Sequence, residues 1–242
     1  MKKRIAIIQA RMNSSRMPGK ILKEISGKPA LWHLIENIRP SKQLTDIIVA
    51  TTMNTADDVI ADFTKENAVT CFRGSEENVL ERFYEAAKSI GVKDSDIIVR
   101  ITADDIFMDP YIIDALVTFF DSTYPYYRLV SNSFKPGFPY GLYFELFDFA
   151  SLKDAYRNAT TESQKEHVTP YIREHEETFP AIAIESKGVD LSDVYLSIDT
   201  VEDLERNRRI IERLESQNKK HPYLFTDVVT AYKDLKLSRA SV

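Results

Sequence analysis

Short runs of β-branched and other apolar residues alternate, over the first half of the chain, with longer stretches whose apolar positions recur at helical spacing. This is the pattern of repeated β–α units around a mostly parallel sheet. Four runs, at 4–9, 47–51, 69–72 and 97–101, are apolar enough to be buried on both faces. Helices are expected between them. One starts at Pro29, a first-turn proline, and one at Thr55, with Asp58 three residues on; two more start at Ser75 and at Asp109, which Pro110 follows. From about Tyr126 the rhythm shortens to strand candidates at 128–132, 142–147, 181–185 and 195–197, mixed with helices near 151–158 and 162–175. Thr200, with Asp203 in the capping-box position, opens a last long helix to about Gln217, and the tail 219–242 has only a weak amphipathic pattern. Together these features describe one α/β domain over residues 1–242, with a smaller inserted or appended lobe within about residues 126–185.

Composition narrows the class. At 242 residues, 43% hydrophobic and 29% charged, the chain can bury a large core. Seven glycines and ten prolines leave no linker-like tract, and no apolar run approaches the roughly 20 residues of a spanning helix. No membrane association is therefore expected. Residues 5–10 are too short for a secretory signal core, and the lone Cys71 has neither a bridge partner nor metal-ligand spacing around it. A reducing, cytoplasmic location is the expectation. The net charge of −5 conceals an asymmetry, since residues 1–23 hold seven Lys and Arg and no acid. Such a basic segment in an acidic chain suggests a local anion site and no nucleic-acid partner, which would need basic residues spread over a face.

In an open parallel sheet, ligands bind beyond the carboxyl ends of the strands, where the strand order reverses. That rule selects the loops at 10–20, 51–54, 73–75 and 102–105. The first reads Ala10-Arg11-Met12-Asn13-Ser14-Ser15-Arg16-Met17-Pro18-Gly19-Lys20. Its guanidiniums, ammonium and hydroxyls suit a polyphosphate, although it is neither a P-loop nor a dinucleotide fingerprint. A solvated basic loop with surface ion pairs is the plain alternative. The loop Thr102-Ala103-Asp104-Asp105 faces it across the switch point if the strands follow the common 3-2-1-4 order. These carboxylates serve either a divalent cation such as Mg²⁺ or the cap of the next turn. Asp199 has the same two uses, metal ligand or complement to a helix dipole. His167, beside Glu166, is an acceptor ligand or a structural hydrogen-bonding group. The aromatic-rich stretch 124–149 lines a pocket, forms an interface or packs the core.

With those residues in view, the chain resembles the cytidylyltransferases that make CMP-activated acidic sugars, such as CMP-KDO synthetase and CMP-sialate synthetase, and most closely the spore coat polysaccharide biosynthesis protein F group. Residues 7–20 match that family's opening signature, I-I-x-A-R-x-x-S-x-R-x-P-G-K, almost throughout. Phe72-Arg73-Gly74-Ser75, Val99-Arg100-Ile101-Thr102, Glu166-His167-Val168-Thr169-Pro170-Tyr171 and the stretch from Ile198 to Leu204 match in order. The resemblance implies a Rossmann-like nucleotidyltransferase fold, with a mostly parallel central sheet and helices on both faces. It also implies a homodimer, Mg²⁺ as cofactor, and CTP and a small acidic acceptor as partners. Carried over, Arg11, Ser14, Arg16 and Lys20 would hold the phosphates, Arg73 and Ser75 would lie near the base, and Asp104 and Asp199 would be the metal ligands. Arg11, Arg16, Lys20, Asp104 and Asp199 are then the catalytic set, and Ala10, Thr51 and Thr102, at strand ends, join the nucleotide site.

The chain departs from that branch's usual pattern in two places. Where the branch usually reads T-G-D-C-P, it has Thr102-Ala103-Asp104-Asp105-Ile106; where the branch reads P-D-G-L-D-x-E, it has Pro139-Tyr140-Gly141-Leu142-Tyr143-Phe144-Glu145. Tyr140, Tyr143, Glu145 and His167 are the acceptor-side candidates. Two other functions fit the same residues: a glycosyltransferase using a nucleotide-sugar, and a nucleotide-binding homologue with a lost or altered acceptor site.

Overall fold

Ile5, Ala6, Ile7 and Ile8 of β1 (Arg4–Gln9) are all fully buried in the computed structural model, which describes residues 2–237 apart from 136, 187 and 189. Successive side chains of a strand point to opposite faces, so a strand apolar at every position must be covered on both. After β1 come a 3-10 turn (Lys20–Leu22), a small hairpin of β2 (Glu24–Ile25) and β3 (Lys28–Pro29), and α1 (Ala30–Ile38). The β–α rhythm continues through β4 (Asp46–Thr52), α2 (Asp58–Glu66), β5 (Thr70–Gly74), α3 (Val79–Ser89), β6 (Ile97–Thr102) and α4 (Pro110–Thr123). The second half adds β7 (Leu129–Ser131), β8 (Glu145–Asp148), α5 (Phe149–Asn158), α6 (Glu162–His167), α7 (Pro170–Glu174), β9 (Ala181–Ala183), α8 (Val201–Ser216) and α9 (Phe225–Leu237).

Seven strands form one sheet in the order β5-β4-β1-β6-β8-β7-β9. Its first four members follow the expected 3-2-1-4 order, and all four are parallel. Only β8 runs against the rest, pairing antiparallel with both β6 and β7. Ala6, Ile8 and Val99 pack with α1, α2 and α4 on one face, and Ile5, Ile7 and Ile98 pack with α3, α5 and α7 on the other. A third apolar cluster joins Ile106 and Phe107 to α8 and α9. This is a doubly wound, Rossmann-like architecture. The segment 126–185 contributes β7, β8 and β9 as the continuation of the central sheet. The β1–β6 register pairs Gln9 with Thr102, so the loops that follow these strands leave the sheet side by side at the switch point. No helix among the described residues is long and apolar enough to cross a membrane.

Helix starts follow the side chain whose oxygen reaches a free backbone N–H. Asp109 accepts from Tyr111 N at 2.8 Å ahead of Pro110, and Thr200 with Asp203 completes the capping box of α8, as expected. Thr55 and Ser75 do not cap. Asn54 accepts from Ala56 N and Asn78 from Glu81 N, both at 3.0 Å, while Ser75 Oγ takes the Asn78 N–H. The expected helix over 162–175 is two, broken at Val168, whose φ of 71° no helix allows. Residues 195–197 make no ladder strand; Tyr195 forms a single bridge with Tyr140.

Candidate active site

The basic loop is folded tightly before any ligand is considered. The Met12 carbonyl accepts from Ser14 N at 2.9 Å and from Gly19 N at 2.8 Å, drawing the loop back on itself. Gly19 sits at φ +70°, a left-handed conformation that costs glycine nothing. Asp57, 1% exposed, straps the loop to β4: its carboxylate accepts from Met12 N at 2.7 Å and from the Thr52 hydroxyl at 2.5 Å. Sequence reasoning missed Asp57, because an acid in the first turn of a helix reads as a dipole complement.

Four charged side chains from three chain segments meet beside this loop. Lys20 Nζ lies 2.5 Å from Asp104 Oδ2, 2.9 Å from Asp199 Oδ1 and 2.6 Å from the Ile198 carbonyl oxygen. Arg16 Nη2 lies 2.8 Å from the same Asp199 Oδ1. The Tyr195 phenol donates to the other oxygen, Oδ2. Burial opposes the charge on Lys20, but attraction and hydrogen bonding to Asp104, reinforced by Asp199, raise its pKa above the usual range. Burial likewise opposes ionisation of Asp199, and it is outweighed by hydrogen bonds from Tyr195 and Lys20 and the charges of Lys20 and Arg16, which hold the carboxyl below its ordinary value. Backbone bonds deliver both acids: Ala103 N donates to the Gln9 carbonyl at 3.2 Å, and Ile198 N donates to the Asp104 carbonyl at 3.1 Å. Asp203, which caps α8, also accepts from Asp199 N at 3.0 Å.

Ala10, Arg11, Ser14, Arg16, Lys20, Thr102, Asp104 and Asp199 line one cavity of about 220 Å³. Gln9 lines it too, and its Oε1 is buried without a hydrogen-bond partner among the described residues. Three expected nucleotide residues do not line this cavity. Thr51 is fully buried in β4. Arg73 is held by the carbonyls of Thr52 and Asn54 at 2.9 Å and by Asp58 at 2.6 Å, and Ser75 supports the start of α3. The N-terminal cations are not an uncompensated block either. Lys2 and Arg4 pair with Asp121 below the other end of β1, and Arg16 and Lys20 find acids far along the chain.

A second cavity, of about 710 Å³, adjoins the first at Thr102 and receives all four acceptor-side candidates, Tyr140, Tyr143, Glu145 and His167. Arg100 Nη1 pairs with Glu145 at 3.0 Å, and the Thr169 hydroxyl donates to the same carboxylate at 2.9 Å. The Tyr143 hydroxyl donates to the Phe138 carbonyl at 3.1 Å, with the ring edge-on to Tyr140. Between His167 and Thr169, buried Val168 occupies φ 71°, ψ −54°, closing a γ-turn through a 2.8 Å bond from Thr169 N to the His167 carbonyl. A β-branched residue adopts that geometry only under constraint from its surroundings, and here it sits between two cavity-lining residues, His167 and Thr169. Asp105 also faces this cavity. Burial, with the charge of neighbouring Asp104, pushes its carboxyl up to about 7 against the restraining hydrogen bonds of Thr102 and Ser197. Arg11 reaches across from the first cavity, 3.9 Å from Glu166.

A doubly wound sheet carries a cationic cleft and a second cavity at one switch point, and the family to which the chain belongs makes it a nucleotidyltransferase. The chain belongs to the cytidylyltransferase family, whose profile matches residues 5–239. It is 32% identical over 213 residues to the spore coat polysaccharide biosynthesis protein SpsF of Bacillus subtilis, covering 86% of this chain and 85% of that one. The 3-deoxy-manno-octulosonate cytidylyltransferase of Nitratidesulfovibrio vulgaris is 38% identical over 114 residues, 46% of this chain and 43% of that protein. Among solved structures, a cytidylyltransferase from Leptospira borgpetersenii superposes with a TM-score of 0.89 at 30% identity, covering 98% of this chain and 96% of its own.

Proposed function

We propose that this enzyme transfers CMP from CTP to a small acidic, sugar-like acceptor with release of pyrophosphate, that it depends on Mg²⁺, and that it serves surface-glycan biosynthesis. The observation that carries the proposal is the meeting of Asp104 and Asp199 on Lys20, in a cationic cleft that opens at Thr102 onto the cavity lined by Tyr140, Tyr143, Glu145 and His167. The names of the two relatives support the glycan context and the acidic acceptor.

Arg11, Ser14, Arg16 and Lys20 hold the triphosphate. Arg16, with a side chain 64% exposed, can turn from Asp199 to a phosphate oxygen with little rearrangement. The donor set fits Mg²⁺: two carboxylates within reach of one ammonium and the unpartnered Gln9 Oε1 are hard oxygen ligands. Among the described residues no three His, Cys, Asp or Glu side chains form a metal cluster, so Asp104 and Asp199 would hold the ion together with waters and phosphate oxygens. When bound, Mg²⁺ supplies charge neutralisation at the phosphates. The acceptor oxygen forms a bond to the α-phosphorus as the bond to the α–β bridging oxygen breaks. That bond's electron pair leaves with pyrophosphate, and the hydroxyl proton is released. Arg16 and Lys20 stabilise the charge that grows on pyrophosphate, so positioning and electrostatics suffice without a covalent enzyme intermediate.

The test is pyrophosphate release measured with CTP, UTP, ATP and GTP against a panel of acidic sugars. CTP is expected to lead, with one acidic sugar preferred. Faster release with UTP or ATP overturns the nucleotide assignment.

A further inference from the structure

We propose that Tyr195 is a positioning residue for the transfer, acting on the phosphate cleft through Asp199 and held in place by Tyr140 from the acceptor cavity. The proposal rests on the reading of Asp199 as a working carboxylate.

The two oxygens of Asp199 have different surroundings. Oδ1 faces Lys20 and Arg16, at 2.9 and 2.8 Å. Oδ2 accepts from the Tyr195 phenol. The two cations already balance the carboxylate charge, so the phenol is not needed for neutrality. What it adds is direction: with Oδ2 pinned, the carboxylate cannot rotate about its terminal bond, and Oδ1 stays aimed into the cleft. A carboxylate that only one side defines would adopt a broad range of this angle, because such terminal torsions are soft.

Tyr195 is itself tightly placed. Its ring stacks on Tyr140 with centroids 4.5 Å apart and planes 11° from parallel, and the Arg206 guanidinium lies over it at 5.3 Å. Backbone bonds from Tyr140 N to the Val194 carbonyl at 3.0 Å and from Leu196 N to the Tyr140 carbonyl at 2.7 Å fix the stacked pair. Arg206 bonds the Ser197 carbonyl and Asp203. Glycine at 141 permits this approach, since a Cβ there would lie 2.4 Å from Ser197 N, at a φ of +97°. Tyr140 then lines the acceptor cavity. Two stacked rings thus span from acceptor cavity to phosphate-cleft carboxylate, and displacement of one is felt by the other.

Tyr195→Phe deletes the phenol and keeps the ring. Its expected effect is a fall in kcat of about tenfold or more, in line with the sensitivity of transfer reactions to small misplacements. The Mg²⁺ concentration for half-maximal rate should rise several-fold and the acceptor KM stay at its wild-type value, while the melting temperature falls by no more than the loss of one hydrogen bond accounts for. Mn²⁺ binding to the CTP-loaded protein, followed by electron paramagnetic resonance, should weaken by a similar factor whether or not an acceptor is known. Tyr140→Leu, which keeps the phenol but removes the stack, should raise the acceptor KM and weaken Mn²⁺ binding by a smaller factor. Wild-type Mn²⁺ binding and metal dependence in Tyr195→Phe overturn the proposal, as does a loss confined to thermal stability. Asp199→Asn separates the two levels: if it binds Mn²⁺ as wild type does, the reading of Asp199 itself fails; if it loses binding while Tyr195→Phe does not, only the role of Tyr195 fails.

Discussion

Asp104 and Asp105 are consecutive in the chain, yet they face different cavities: Asp104 meets Lys20 in the phosphate cleft, and Asp105 accepts from the Thr102 hydroxyl on the wall of the acceptor cavity. The two acids lie in the turn after β6, where Asp105 N donates to the Thr102 carbonyl at 3.2 Å, and that turn sends one side chain to each cavity. Asp104→Asn and Asp199→Asn should each lower turnover by a factor of about 100 or more, because the counter-charge to Lys20 is lost and with it, on the proposed mechanism, a ligand for Mg²⁺. Asp105→Asn should cost much less and leave CTP affinity unchanged. Steady-state kinetics with calorimetric CTP binding checks the contrast, and equal losses in all three variants contradict it.

Arg16 is the most exposed of the three cations lining the cleft, and it is bonded to Asp199. Arg16→Ala should weaken CTP binding by about 1.5–3 kcal/mol, the contribution of a hydrogen bond to a charged group. Isothermal calorimetry showing unchanged affinity would mean the loop is not the phosphate cradle.

Removing the strap should loosen the cradle as a whole. Asp57→Ala leaves Met12 N and the Thr52 hydroxyl without their buried acceptor and should cost roughly 2–4 kcal/mol of stability, with weaker CTP binding as a secondary effect. Urea denaturation measures the first and calorimetry the second. A variant as stable as wild type would remove Asp57 from this role.

Acid sensitivity should arise away from the site, at the contact of His33 with His221. His33 Nε2 lies 2.8 Å from the Ile25 carbonyl, which only accepts, so Nε2 carries the proton and Nδ1 accepts from His221 Nε2 at 3.2 Å. Burial, and then the neighbouring His33, lower the His221 pKa to about 4, and burial also lowers that of His33, whose other charged neighbours are Glu215 and Lys28. The unfolded imidazoles titrate near 6.5, so between there and pH 4 the unfolded chain binds more protons than the folded one. Stability contributed by this pair is complete above pH 6.5 and is lost as pH falls toward 4. With His33 buried and His221 half-buried, the loss between pH 7 and 4.5 should be about 2 kcal/mol. His221→Phe should flatten the dependence of the urea midpoint on pH over this window, and parallel curves for the two proteins would count against the pair.

The four central strands, their order and the chemical character of the first loop were legible because each rests on a local signal: an apolar run of strand length, a cap beside it, a dense set of donors. Asp109 and Thr200 were legible as caps for the same reason. Thr55 and Ser75 misled because Asn54 and Asn78 offer competing oxygens within three residues, and only the path of the backbone decides between them. The antiparallel β8 was hidden, since a four-residue strand carries almost no periodicity and its direction is set by pairing with Ile97–Arg100. In the site, Lys20, Asp104 and Asp199 were named from the motif, but Asp57 acts through a contact 45 residues away, which no spacing encodes, and Tyr195 reaches Asp199, four residues on, only through the irregular backbone between them. Arg73, named through the family resemblance as lying near the base, is bonded to two carbonyls and Asp58, partners that no motif spells out.

Two carboxylates and two cations make the Arg16–Lys20–Asp104–Asp199 cluster electrically balanced by itself. Such a cluster needs no bound ion to fold, so a chelator should stop turnover without lowering the melting temperature. The balance also governs what can enter. A bare triphosphate drawing Lys20 and Arg16 toward itself would strand buried Asp199 and half-buried Asp104 without counter-charge, at a cost of several kcal/mol. A bare divalent cation would crowd the ammonium it has to displace. Anion and cation arriving as one neutralised pair avoid both penalties, so the cleft selects for a salt over either of its ions.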